Sequence, residues 1–90
     1  MSTEQDIKRG ELAQALLNNP LLSEILENLK NNYVKQWLDS DPKDVEGRER
    51  LFVAVNVVDD FTRNLRVVVE NGKLSQAIFR RKVEKADRAV

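Results

Sequence analysis

Apolar residues along this chain recur with a period near 3.6, the spacing of one helix face rather than the strict alternation of a half-buried strand. From Pro20 to about Leu38, side chains placed at about 100° per residue set Leu21, Ile25, Leu29, Leu22, Tyr33, Leu26 and Trp37, in that order, across an arc of about 160°. A longer stretch after Pro42 repeats the pattern, with Val57, Val68, Phe61, Ala54, Leu65, Val58, Leu51, Val69 and Val55 on an arc of about 160°. Its opposite face carries Asn56, Asp59, Asp60, Arg63 and Arg66. Two long amphipathic helices are expected. Ahead of them, from about Glu4 to Asn18, Ile7, Leu12, Leu16 and Leu17 mark a shorter helix in which Gly10 is the weak point.

The valine-rich segment argues locally for strands, since Val53, Val55, Val57, Val58, Val67, Val68 and Val69 are β-branched. Helix is the better reading, because strict alternation is absent across Leu51–Val58. Glu46/Arg50 and Asp59/Arg63 also have the i,i+4 spacing that pairs opposite charges on a helix surface.

The breaks follow from capping chemistry. Asn19-Pro20 interrupts the chain, because the residue before proline is pushed out of helical geometry and Asn caps the helix that Pro20 opens. Asp39-Ser40-Asp41-Pro42 stops one long helix and starts the next, with Asp41 expected as N-cap, Pro42 as first helical residue and Asp44 reaching back as in a capping box. Asn71-Gly72 reads as a C-terminal stop, and Lys73 to about Arg88 as a final helix with Phe79, Val83 and Ala86 on one side. The expected fold is all-α. It is an antiparallel helical hairpin with a short N-terminal helix and a basic C-terminal helix or tail, assembling into a bundle. Residues 1–72 form the hairpin domain and residues 73–90 the basic segment.

Composition narrows the classes. A 90-residue chain is one domain at most and buries a modest share of its surface, which raises the expectation that copies of itself complete the core. Zero net charge with 33% charged and 41% hydrophobic residues fits a soluble helical protein better than a disordered one. The polar, acidic start and the lack of a long apolar run lead us to expect neither export nor membrane insertion, and a cytoplasmic location. Charge is unevenly placed: from Lys73 onward Lys73, Arg80, Arg81, Lys82, Lys85 and Arg88 stand against Glu84 and Asp87, so this segment carries +4 and the remainder −4.

Candidate chemistry is sparse. Without His or Cys the chain lacks the usual zinc ligands, a thiol nucleophile and an imidazole base, so no enzyme activity, metal or cofactor is expected. Asp59 and Asp60 point about 100° apart on the polar arc and read as solvated charge. Asp39, Asp41 and Asp44 superficially suggest a calcium loop, but Arg50 stands where its final Glu belongs, and capping explains them better. Tyr33 and Trp37, one turn apart, suit core or interface packing more than a ligand platform.

Two surfaces remain as candidates. Leu29, Tyr33, Trp37, Val58, Phe61 and Leu65 are the expected oligomer interface, since apolar arcs this wide exceed what two helices bury against each other. Phe52, Val53 and Val67 lie outside the main arc and would otherwise meet water. Arg80, Arg81, Lys82, Lys85 and Arg88 form a stripe able to neutralise phosphates, to dock on a neighbouring subunit's acidic body, or to stay solvated.

The strings Arg9-Gly10-Glu11-Leu12-Ala13, Asn19-Pro20-Leu21-Leu22, Tyr33-Val34-Lys35-Gln36-Trp37, Asp44-Val45-Glu46-Gly47-Arg48-Glu49 and Val69-Glu70-Asn71-Gly72-Lys73-Leu74 resemble a group of short helical proteins encoded by tailed bacteriophages and prophages. That resemblance implies a phage setting, host cytoplasm or virion, where small helical oligomers serve head, portal or DNA-packaging assembly. The expected function is non-enzymatic assembly, with the chain itself and other phage structural proteins as partners. A nucleic-acid-binding packaging component stands second, and no membrane partner is expected.

Overall fold

Three helices occur among the described residues: α1 Thr3–Leu17, α2 Pro20–Asp39 and α3 Val45–Arg88. The computed structural model describes residues 3–88, and among these no strand occurs, so the all-α class is as expected. The valine-rich stretch is helix throughout. Helix propensity costs at most about 0.7 kcal/mol for such a residue. Burial of Val58 and Val69 against the other helices outweighs it.

Local chemistry accounts for the breaks. Asn19, extended at φ −73° and ψ 114°, turns its side-chain oxygen onto the backbone N–H groups of Leu21 and Leu22, at 2.9 and 3.2 Å. Pro20 opens α2 as the first helical residue. At the far end, the Ser40 hydroxyl and backbone N–H both donate to the carbonyl of Trp37, satisfying one of the last free acceptors of α2.

α1 and α2 follow one another along α3. The Ser75 hydroxyl donates to Asp6, Gly72 abuts Gly10, Lys30 donates to Asp59, and the Arg48 guanidinium lies over the Trp37 ring. Positions rise on one side as they fall on the other, so both shorter helices run opposite to α3. A 44-residue helix is about 66 Å long. It accounts for most of the 72 Å long axis of a molecule only 25 and 15 Å across. The radius of gyration is 19.9 Å, whereas about 12 Å is usual for a globular chain of this length.

Leu51, Val55, Val58, Thr62, Leu65, Val69 and Gly72 on α3 alternate in steps of four and three, which is a heptad seam. Val58, Val69 and Gly72 are buried and the others half-buried. On the facing side Gly10 and Ala13 are the buried residues of α1. Close approach explains the glycines: a Cβ on Gly10 would stand 2.9 Å from the Gly72 Cα, and one on Gly72 would stand 2.9 Å from the Asp6 carbonyl oxygen.

Three expectations are corrected. Asn71-Gly72 does not end a helix, because Gly72 serves the crossing with Gly10 and α3 continues unbroken through it. Residues 73–88 are therefore the far end of α3 rather than a separate helix. Helix α3 also begins later than expected. The Asp41 carboxylate accepts from the Lys43 N–H and its carbonyl from the Asp44 N–H, closing a turn with Pro42 at its second position. Asp44 is the residue that caps α3, accepting from the Gly47 N–H at 3.0 Å, an interaction worth about 1 kcal/mol. Lastly, Asp59 pairs with Lys30 on α2 rather than with Arg63, which takes Asp60. With both Lys30 and Asp59 side chains about 40% exposed, that bridge contributes under about 1 kcal/mol.

Candidate assembly interface

Pairing α1 and α2 with α3 consumes one stripe of each helix and leaves much apolar surface open. Among the described residues the buried hydrophobic side chains are Ala13, Val58 and Val69. Val57 and Leu74 stand 59% and 62% exposed, and Phe52, Phe61, Val67, Ile78 and Phe79 are also open to solvent. The accessible surface is 7422 Å². A compact chain of 10.4 kDa would expose about 5,400 Å², so the protomer carries an excess of about 2,000 Å².

The expected interface residues divide between two surroundings. Val58 is buried in the intramolecular seam, and Leu65 and Tyr33 are half-buried. Leu29, Trp37 and Phe61 remain exposed, Phe61 at 47%. Trp37 also has Arg48 stacked 4.1 Å from its ring centre, a cation–π contact that orients the indole. With Val34, Leu51, Phe52 and Val55 it lines a shallow apolar hollow near the turn between α2 and α3.

A second stripe on α3 was not singled out as such by the residue pattern. Val57, Phe61, Asn64, Val68 and Asn71 follow in steps of four, three, four and three, and Ile78 lies one heptad beyond Asn71. Its signal is a heptad repeat offset from the buried seam, which a single wide apolar arc conceals. Asn64 and Asn71 hide it further, since polar residues break an apolar reading.

Arg80, Arg81, Lys82 and Lys85 are all exposed on the last turns of α3. Phe79 lies beside Glu4, Ile7, Lys8 and Glu11, so α1 reaches only this level and the basic turns extend past it. The side chain of Arg88 lies outside the described residues. Asp41 is occupied in the turn before α3 and Asp44 as its cap, and Asp59 and Asp60 as ion-pair partners. No described helix is long and apolar enough to cross a membrane. Comparison of the chain with protein-family models, with curated proteins and with solved structures found no match in any of the three.

Proposed function

We propose that this protein is a non-enzymatic helical assembly component that works by associating with copies of itself, its paired helices combining as hairpins into a four-helix bundle. One observation carries the reading. A chain of 10.4 kDa leaves Val57, Phe61, Val67, Leu74 and Ile78 in water on a rod with about 2,000 Å² of surplus surface. A standard interface takes about 800 Å² from each partner, so that surplus is ample for self-association. The phage resemblance of the sequence supports a role in head, portal or packaging morphogenesis, with phage structural proteins as further partners.

Light scattering coupled to size exclusion tests it. At micromolar concentration the mass is expected to be a whole multiple, two or more, of the 10.4 kDa protomer. A monomeric mass, with unfolding independent of concentration, would overturn the reading.

The overhanging basic turns of α3 support a second reading, a nucleic-acid-binding packaging component using Arg80, Arg81, Lys82 and Lys85. Phosphate neutralisation releases counterions, so affinity for duplex DNA is then expected to fall steeply between 50 and 200 mM salt, on the order of tenfold or more. Absence of binding in low salt would dismiss it.

A further inference from the structure

The structure assigns the Val57-to-Ile78 stripe of α3 to an antiparallel contact with the same stripe on a second copy, the two-fold axis crossing α3 near Val68. This rests on the self-association reading above and goes further by naming the surface, the orientation and the centre. The first ground is the surface itself. Val57, Phe61, Asn64, Val68, Asn71 and Ile78 keep heptad spacing over 21 intervals, about 31 Å of helix, without one charged side chain. Of the charges of that stretch, Asp59, Arg63, Arg66, Glu70 and Lys73 lie elsewhere on the helix, while Asp60, in line with Ile78 at about 100° per residue, borders the stripe and is paired with Arg63. A solvated face has no reason to exclude the other five.

Self-complementarity is the second ground. A two-fold contact brings the same patch against itself, so residues equidistant from the axis meet. An axis near Val68 sets Val57 opposite the partner's apolar end around Ile78, and Asn64 opposite the neighbourhood of Asn71. Apolar then meets apolar, and the two amides meet near the centre, where paired polar residues fix register. Sliding one copy by a heptad would bury an asparagine against valine or isoleucine, leaving amide groups without partners.

Charge decides orientation. Around the turn, residues 39–49 hold Asp39, Asp41, Asp44, Glu46 and Glu49 against Lys43 and Arg48, a net of −3, whereas the other end from Lys73 carries +4. The two ends lie at opposite extremes of a 72 Å rod, many times the screening length of about 8 Å, so they interact only when juxtaposed. Parallel copies would lay +4 beside +4. Antiparallel copies about this axis set residues 80–88 of each level with residues 47–55 of the other, so the basic end lies beside Glu49 and Arg50 at the start of the partner's α3 instead of +4 beside +4. The basic turns that α1 leaves uncovered thereby acquire a partner.

The chain has no cysteine, which makes site-directed crosslinking clean. Val57→Cys and Ile78→Cys are made separately in the full chain, each at an exposed position. A short bismaleimide is added to each alone and to their refolded mixture, with light scattering in parallel. Covalent heterodimers in the mixture, and neither variant crosslinking by itself, are the expected result. Self-crosslinking of the single variants would show parallel copies and overturn the orientation. An oligomeric mass without crosslinks in any sample would overturn the surface while leaving self-association standing. A monomeric mass would overturn both.

Discussion

Replacing Gly72 with leucine is expected to lower the melting temperature by about 8–24 °C, an effect on the order of 2–3 kcal/mol at about 4–8 °C per kcal/mol for a chain of this size. The effect arises at the crossing of α1 and α3. A single Cβ on Gly72 already stands 2.9 Å from both the Asp6 carbonyl oxygen and the Gly10 Cα. Both are backbone atoms, which cannot rotate away as a side chain would, so the helices themselves must separate. Gly10→Leu is expected to act in the same direction, since its Cβ meets the Gly72 Cα at 2.9 Å and the Val68 carbonyl at 3.4 Å. Alanine is the informative intermediate. It regains about 1 kcal/mol of helix propensity and loses about 1–3 kcal/mol to the clash, so Gly72→Ala should be near neutral to moderately destabilising. Thermal melts followed by circular dichroism at fixed protomer concentration decide the matter. A stabilised Gly72→Leu variant would mean that α1 does not pack closely on α3.

The second large effect separates the inner seam from the outer stripe. Val58 is 8% exposed and sits within the seam, whereas Phe61 is 47% exposed and lies on the open stripe. Val58→Asp places a carboxylate among apolar side chains with Asp59 already next to it in sequence, and is expected to cost about 4 kcal/mol or more. On a rod with so few buried residues that should abolish cooperative unfolding and most of the helical signal. Phe61→Asp should instead preserve the pairing of α1 and α2 with α3 and reduce the solution mass to that of the protomer. Circular dichroism and light scattering on the two variants give opposite signatures. Equal loss of helicity in both would imply that the protomer has no fold apart from its assembly, and an unchanged mass for Phe61→Asp would remove this residue from the interface.

Much of the secondary structure was legible because its causes are local. Asn19 caps α2 by bonding the N–H groups of Leu21 and Leu22, and Pro20 suits the first helical position, facts that involve only immediate neighbours. The 3.6-residue period likewise identified the long helices despite their valines. Where two local solutions competed, the residues alone did not decide. Asp41 and Asp44 are both good N-caps, and Pro42 is equally at home in a first helical turn or at the second position of a β-turn. The backbone chose the turn, with Asp44 as the cap.

Tertiary structure alone decided what happens at Gly72 and which apolar face stays open. By local preference Asn71-Gly72 is a helix stop, because glycine adopts the left-handed conformation cheaply. Here glycine's missing side chain matters more than its backbone freedom: it lets α1 approach, and Gly10, remote in sequence, supplies the contact that keeps α3 continuous. The two stripes of α3 differ for the same reason. Val58 and Phe61 lie in one apolar arc, and nothing in either residue says which will be covered. Lys30, Gly10 and Trp37 say so, by fixing which side of α3 the shorter helices occupy. Periodicity tells how many faces a helix has to bury, and the packing of distant segments tells which of them is left for a partner.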